Sequence, residues 1–136
     1  MDNKPTTAEI LIVAGGAVTL VGSFLDFIGE SNAWSTFQYL LVAVFGVAMA
    51  AQVALRVFAK TDTGSGVAGY SWGQIHLLLG FYCAVLMVAT LVEGNGGFGW
   101  EIGFWAMLIG SIALLVGAVM LNQSSTSRPA SSGPTV

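Results

Sequence analysis

Very few side chains in this sequence can do chemistry. Of 136 residues, 55% are hydrophobic and only 8% are charged, with one histidine, His76, and one cysteine, Cys83. An ionisable group inside an apolar run is a functional candidate, because lipid makes it costly to keep there. His76 has two readings. It could serve as an axial ligand to a haem, although b-type membrane haems commonly take two histidines, so a second would have to come from an oligomer or a partner subunit. The simpler reading is a histidine hydrogen-bonded to a neighbour near the headgroups, about one turn inside its helix, with Gln52 and Arg56 at comparable depth on the preceding one. His76 is therefore the one candidate for cofactor binding, and no cofactor is assigned. Cys83 lies in an apolar run with no second cysteine, which excludes a disulfide framework and a CxxC site and leaves a thiol filling a helix contact.

The acids form the second group. Asp26, Glu30, Glu93 and Glu101 flank two short turns that contain no lysine or arginine. Together they would form an acidic outer rim able to attract cations or dock a basic partner, or they are simply solvated turns. No carboxylate falls in the middle of an apolar run, so proton coupling lacks its usual midplane group. Residues 64–69 spell a formal GxGxxG, which cradles phosphate only between a strand and a helix of a βαβ unit. Between two apolar runs it is expected to be a flexible loop. No His and Asp can be placed beside a serine on one face, so no hydrolytic triad can be drawn and an enzyme is not expected. A net charge of -3 without clustered bases argues against nucleic acid.

The elements that must hold these residues are four apolar runs. Ile10 to Ile28 is 19 residues, which at ~1.5 Å per residue reaches about 28 Å, close to the hydrocarbon thickness. Ser31-Asn32-Ala33 is a passable signal-peptidase site, but the run exceeds a usual signal h-region, so an uncleaved helix is expected. The spans are expected at about 9–28, 36–59, 72–92 and 101–121. They make up one four-helix transmembrane domain over residues 1–121, followed by a disordered tail over 122–136 that is rich in Ser, Thr and Pro.

Gly22 to Phe37 is the first outer corner of this arrangement, and Phe24, Phe27, Trp34 and Phe37 flank it where a membrane meets water. Lys4, Arg56, Lys60 and Arg128 all fall on the opposite side, in the amino terminus, middle loop and tail. By the positive-inside rule both termini face the cytoplasm. The fold class is thus an all-α membrane protein of four transmembrane helices in two antiparallel hairpins. An acid followed by a turn and a tryptophan recurs in each half (Asp26 and Trp34, Glu93 and Trp100), as two duplicated hairpins would show.

Small residues are the strongest pattern. Ala8, Gly15 and Gly22 repeat at seven, Gly46, Ala50 and Ala54 at four, and Gly73 and Gly80 at seven with Ala84 four further on. Gly103, Gly110 and Gly117 again repeat at seven, with Ala106 and Ala113 between them. Such stripes let membrane helices approach closely where lipid removes the hydrophobic drive. The helix-packing candidates are Gly15, Gly22, Gly46, Ala50, Gly80, Gly103, Gly110 and Gly117. Phe104, Trp105, Leu108, Ile112 and Leu115 are then left for lipid or a partner.

Gly22-Ser23-Phe24-Leu25 followed by Asn32-Ala33-Trp34-Ser35 resembles a pattern in small four-span membrane proteins of actinobacteria. That resemblance implies the four-span fold and a bacterial plasma membrane, and it carries no activity. The expected function is a non-catalytic subunit or scaffold, packing through small-residue faces against a larger membrane complex. The alternative is a homo-oligomeric channel or carrier with the acidic rim as its mouth. The expected partners are the lipid bilayer and a membrane protein or further copies of the chain.

Overall fold

A computed structural model describes residues 4–27, 31–94 and 99–126. Four helices account for most of them: α1 (Thr7–Phe24), α2 (Phe37–Val57), α3 (Trp72–Glu93) and α4 (Ile102–Thr126). All four are long and apolar enough to cross a bilayer, so the chain is an integral membrane protein of helical-bundle form.

The helix ends follow from local chemistry. Thr6 and Glu9 form a capping box at the start of α1, and Ser71 and Gln74 form another at α3, each pair satisfying two of the otherwise unpaired first-turn amides. The first helix stops at Phe24, where Leu25 turns extended. Asp26 therefore lies beyond the helix, rather than on the Gly22 face as an unbroken run to residue 28 would place it. At the other extreme α4 continues to Thr126, so residues 122–126 are helical rather than the beginning of an unstructured tail. Serine and threonine can be carried in a last helical turn when the segment before them is well packed.

The middle loop also departs from expectation. Strands β1 (Gly66–Val67) and β2 (Tyr70–Ser71) pair antiparallel as a small ribbon, where a flexible loop is the expectation from sequence. Its turn carries Ala68 at φ 53° and Gly69 at φ 87°. Two successive positive φ angles are those of a type I′ turn, whose twist matches paired strands.

Packing is uneven around the bundle. α1 is the hub, pressed against α4 on one face and α2 on another, while α4 also packs on α3. The contact between α2 and α3 is the thinnest of the four neighbouring pairs. Two apolar clusters fill the interior. One, at the end of the bundle that carries the two short corners, is built on Phe27, Val42, Cys83, Met87, Phe104, Met107 and Leu108. The other, toward the middle loop, is built on Ile12, Met49, Val53, Leu114 and Ala118. Phe104 and Leu108 are thus buried, not left for lipid, because α4 is covered by α1 and α3 on two sides. Trp105 and Ile112 are exposed.

Candidate functional site

The most extensive helix contact is the one between the seven-residue stripes of α1 and α4. A Cβ at Gly110 would lie 2.8 Å from the Gly15 carbonyl and collide with the Thr19 hydroxyl. One turn-pair away, a Cβ at Gly117 would lie 2.9 Å from the Ala8 carbonyl, and one at Gly22 would lie 3.0 Å from the Gly103 carbonyl. Ala8, Gly15 and Gly22 therefore meet Gly117, Gly110 and Gly103 in antiparallel order. Adjacent Gly16 turns the other way, where a Cβ would lie 2.5 Å from both the Gly46 carbonyl and the Ala50 methyl. The pair Gly15-Gly16 thus lets one turn of α1 touch two helices. Sequence periodicity passes over Gly16, although two adjacent glycines in a span are themselves a signal for it. Gly80 makes the close approach of α3 to α4, with a Cβ there 3.1 Å from Leu115 Cα. Thr19 and Ser111, fully buried in α1 and α4, keep hydroxyls without a hydrogen-bond partner.

At the corner end the two short turns are tied together through backbone. The Gly103 amide donates to Asp26 O at 2.9 Å, and the Glu101 amide donates to Phe27 O at 3.1 Å. Phe27 is only 2% exposed, inside the bundle rather than at its rim, and is ringed by aromatic groups. Its centroid lies 4.6 Å from Tyr39, 5.2 Å from Phe104 and 5.9 Å from Trp100. Trp34 instead stacks on Phe24 and donates its indole N–H to Ser23 Oγ at 3.1 Å. Of the outer acids, Asp26 and Glu101 are brought together by these backbone bonds, and both are exposed, as is Glu93 at the end of α3. Glu30 lies outside the described residues.

The polar cluster sits at the opposite end, between α2, α3 and the middle loop. His76 is 1% exposed, and its Nε2 lies 2.7 Å from Gln52 Oε1. The Gln52 amide nitrogen in turn donates to Thr63 Oγ1 at 2.9 Å. Trp72 completes the set, its indole N–H shared between the carbonyls of Thr63 (3.1 Å) and Gly64 (3.0 Å). With its nitrogen turned to Thr63, the Gln52 side chain offers its carbonyl to the imidazole. His76 Nε2 is thus paired, while Nδ1 is buried without a partner. Beside this cluster Arg56 bridges to Glu9 of α1 at 3.1 Å. The pairing of Gln52 with His76 follows the equal depth read from the sequence, whereas Thr63 and Trp72 carry no such signal, because the folding of the loop brings them in. Among the described residues no group of three His, Cys, Asp or Glu side chains could hold a metal. Cys83 is buried against Val42 O at 3.8 Å, on the seam between α2 and α3.

One groove opens on that seam. It has a volume of about 590 Å³ and is lined by Leu41, Phe45, Leu78, Phe81, Tyr82 and Val85, among other apolar side chains. Phe45 and Tyr82 meet edge to face across it, with centroids 5.3 Å apart.

No family model, curated protein or solved structure matches this chain.

Proposed function

We propose that the protein is a non-catalytic subunit or scaffold of a larger membrane complex. The observation that carries this reading is the division of its surfaces. The glycine faces of α1 and α4 are engaged inside the chain, and a wide groove is left open between α2 and α3, lined by large apolar and aromatic side chains. A partner helix would lay its own side chains into such a groove, since in lipid association rests on packing. Purification in mild detergent followed by native mass measurement tests this reading. Co-purification of different membrane subunits is the expected result, and loss of those subunits in Phe45→Ala or Tyr82→Ala would place them on the groove. A chain that purifies alone from its native membrane would overturn it.

The topology that goes with this proposal is two antiparallel hairpins with both termini in the cytoplasm of a bacterial cell. Lys4, Arg56 and Lys60 support it, since all three lie at the end of the bundle that carries the middle loop, away from Asp26, Glu93 and Glu101. In a Cys83→Ala background, an impermeant thiol reagent applied from outside is expected to modify Ser31→Cys and to spare Ser65→Cys. Modification of the second position from outside would invert the arrangement.

A second reading, a homo-oligomeric channel with an acidic mouth, is favoured by the juxtaposition of Asp26 and Glu101 at the corner end. Neutralising Asp26, Glu30, Glu93 and Glu101 together is expected to leave the fold intact, because the three described acids reach solvent. A channel would lose cation conductance, most clearly at low salt, where the Debye length reaches ~30 Å at 0.01 M. Retained conductance would exclude the acidic mouth.

A further inference from the structure

We infer that the α2–α3 seam is a gate, held shut at its loop end by a strap formed from Gln52, Thr63 and Trp72. Three observations carry this, and none depends on which partner the protein has. First, the other neighbouring pairs are locked by backbone approach through glycine: Gly15 and Gly110 for α1–α4, Gly16 and Gly46 for α1–α2, Gly80 and Leu115 for α3–α4. No glycine of α2 or α3 makes a close approach to the other of these two helices. At each main contact at least one partner is a side chain: Phe45 on Tyr82, Cys83 Sγ on Val42 O, and His76 on Gln52. Side-chain contacts can separate by rotamer change, whereas backbone carbonyls packed on glycine cannot part without moving a whole helix.

Second, the one strong polar link across the seam is extended into the middle loop. Gln52 joins His76 on α3 to Thr63 on the loop, and Trp72 holds the same stretch of loop by its carbonyls. The loop is thereby drawn onto the end of the seam. Its short ribbon keeps the segment from Gly66 to Ser71 compact, so release of Thr63 would free a structured strap rather than a slack chain.

Third, the shut state leaves a polar atom unpaid. His76 Nδ1 is buried with no partner, and a buried unsatisfied polar atom carries a desolvation cost that water would return on opening. That cost offsets part of what holds the seam shut, and the Gln52–Thr63 bond adds to the shut side. Opening would expose His76 to water and widen the apolar groove that begins at Leu78 and Leu79 on the following turn.

Cys83 is a native reporter of this motion, because it is fully buried on the seam two turns beyond His76. The experiment uses the purified full-length chain in detergent and N-ethylmaleimide as the probe. Thr63→Val removes the hydroxyl of a part-buried loop residue and changes no side chain within the helices. Gln52→Leu, a second variant, removes both side-chain bonds of Gln52, to Thr63 and to His76. In each, modification of Cys83 is expected to accelerate by about tenfold, the scale of one or two hydrogen bonds. As a control, the thiol introduced by Ser111→Cys in a Cys83→Ala background reports on buried α4. It is expected to stay slow when either strap substitution is added. An unchanged Cys83 rate in both variants would overturn the gate. Equal acceleration at both positions would also overturn it, since it would show general loosening of the bundle rather than opening of one seam.

Discussion

Gly110→Leu is expected to unfold the isolated chain rather than to dissociate it from a partner. The Gly110 Cα faces the backbone of α1, where even a methyl would collide with the Thr19 hydroxyl and lie 2.8 Å from the Gly15 carbonyl and 2.9 Å from the Thr19 amide. None of these atoms except the hydroxyl sits on a side chain that can turn away. Overpacking of an ordinary core costs about 1–3 kcal/mol, and here the obstacle is backbone at a close helix contact, so the loss is expected at or above the top of that range. Thermal unfolding in detergent and protease sensitivity read the effect on the monomer directly. Ile109→Leu is the neutral comparison, since Ile109 is 64% exposed one position away. Leu108→Ala is not neutral, because Leu108 belongs to the buried cluster. For the smaller lesion Gly110→Ala, Thr19→Ala is expected to recover part of the stability by removing the colliding hydroxyl, and a double-mutant cycle measures that coupling. A Gly110→Leu chain as stable as Ile109→Leu would mean that the α1–α4 approach is looser than the geometry described above.

The second large effect is expected at the corner end. Phe27→Ala should destabilise the chain by about 3 kcal/mol, the lower end of the range for a buried phenylalanine. The ring fills the space between Tyr39, Trp100 and Phe104, and its backbone holds the second corner through the Glu101 amide. Loss of the ring therefore loosens both corners at once. Phe37→Ala is the contrast: its ring is 70% exposed, and its removal is expected to change the unfolding midpoint by little. Equal shifts for the two variants, measured by thermal unfolding in the same detergent, would show that the aromatic cluster does not hold the corners together.

These two residues illustrate what can be read along a chain and what cannot. Residue types at helical spacing were enough to place four apolar spans, because the length and polarity of a segment alone decide whether lipid accepts it. The glycine stripes of α1 and α4 were legible for the same reason, since a seven-residue repeat places small residues on one helix face. Which stripe meets which is a different matter. Nothing in the spacing says that Ala8, Gly15 and Gly22 pair with Gly117, Gly110 and Gly103 of their own chain rather than with another protein; that depends on how the helices are arranged in three dimensions. Phe27 and Phe37 look alike in sequence, as aromatic residues beside a turn, yet one is buried and the other exposed. The difference comes from the end of α1 at Phe24, which turns Phe27 inward over α4. His76 and Gln52 were placed at one depth by counting from their helix ends, while the addition of Thr63 and Trp72 required the loop to fold back. The sequence by itself therefore determined the number of spans, their composition and their small faces, all properties of single segments in contact with lipid. Only the tertiary structure decided which faces close on each other, which aromatic is core and which seam is left thin, because those depend on contacts between segments far apart in the chain.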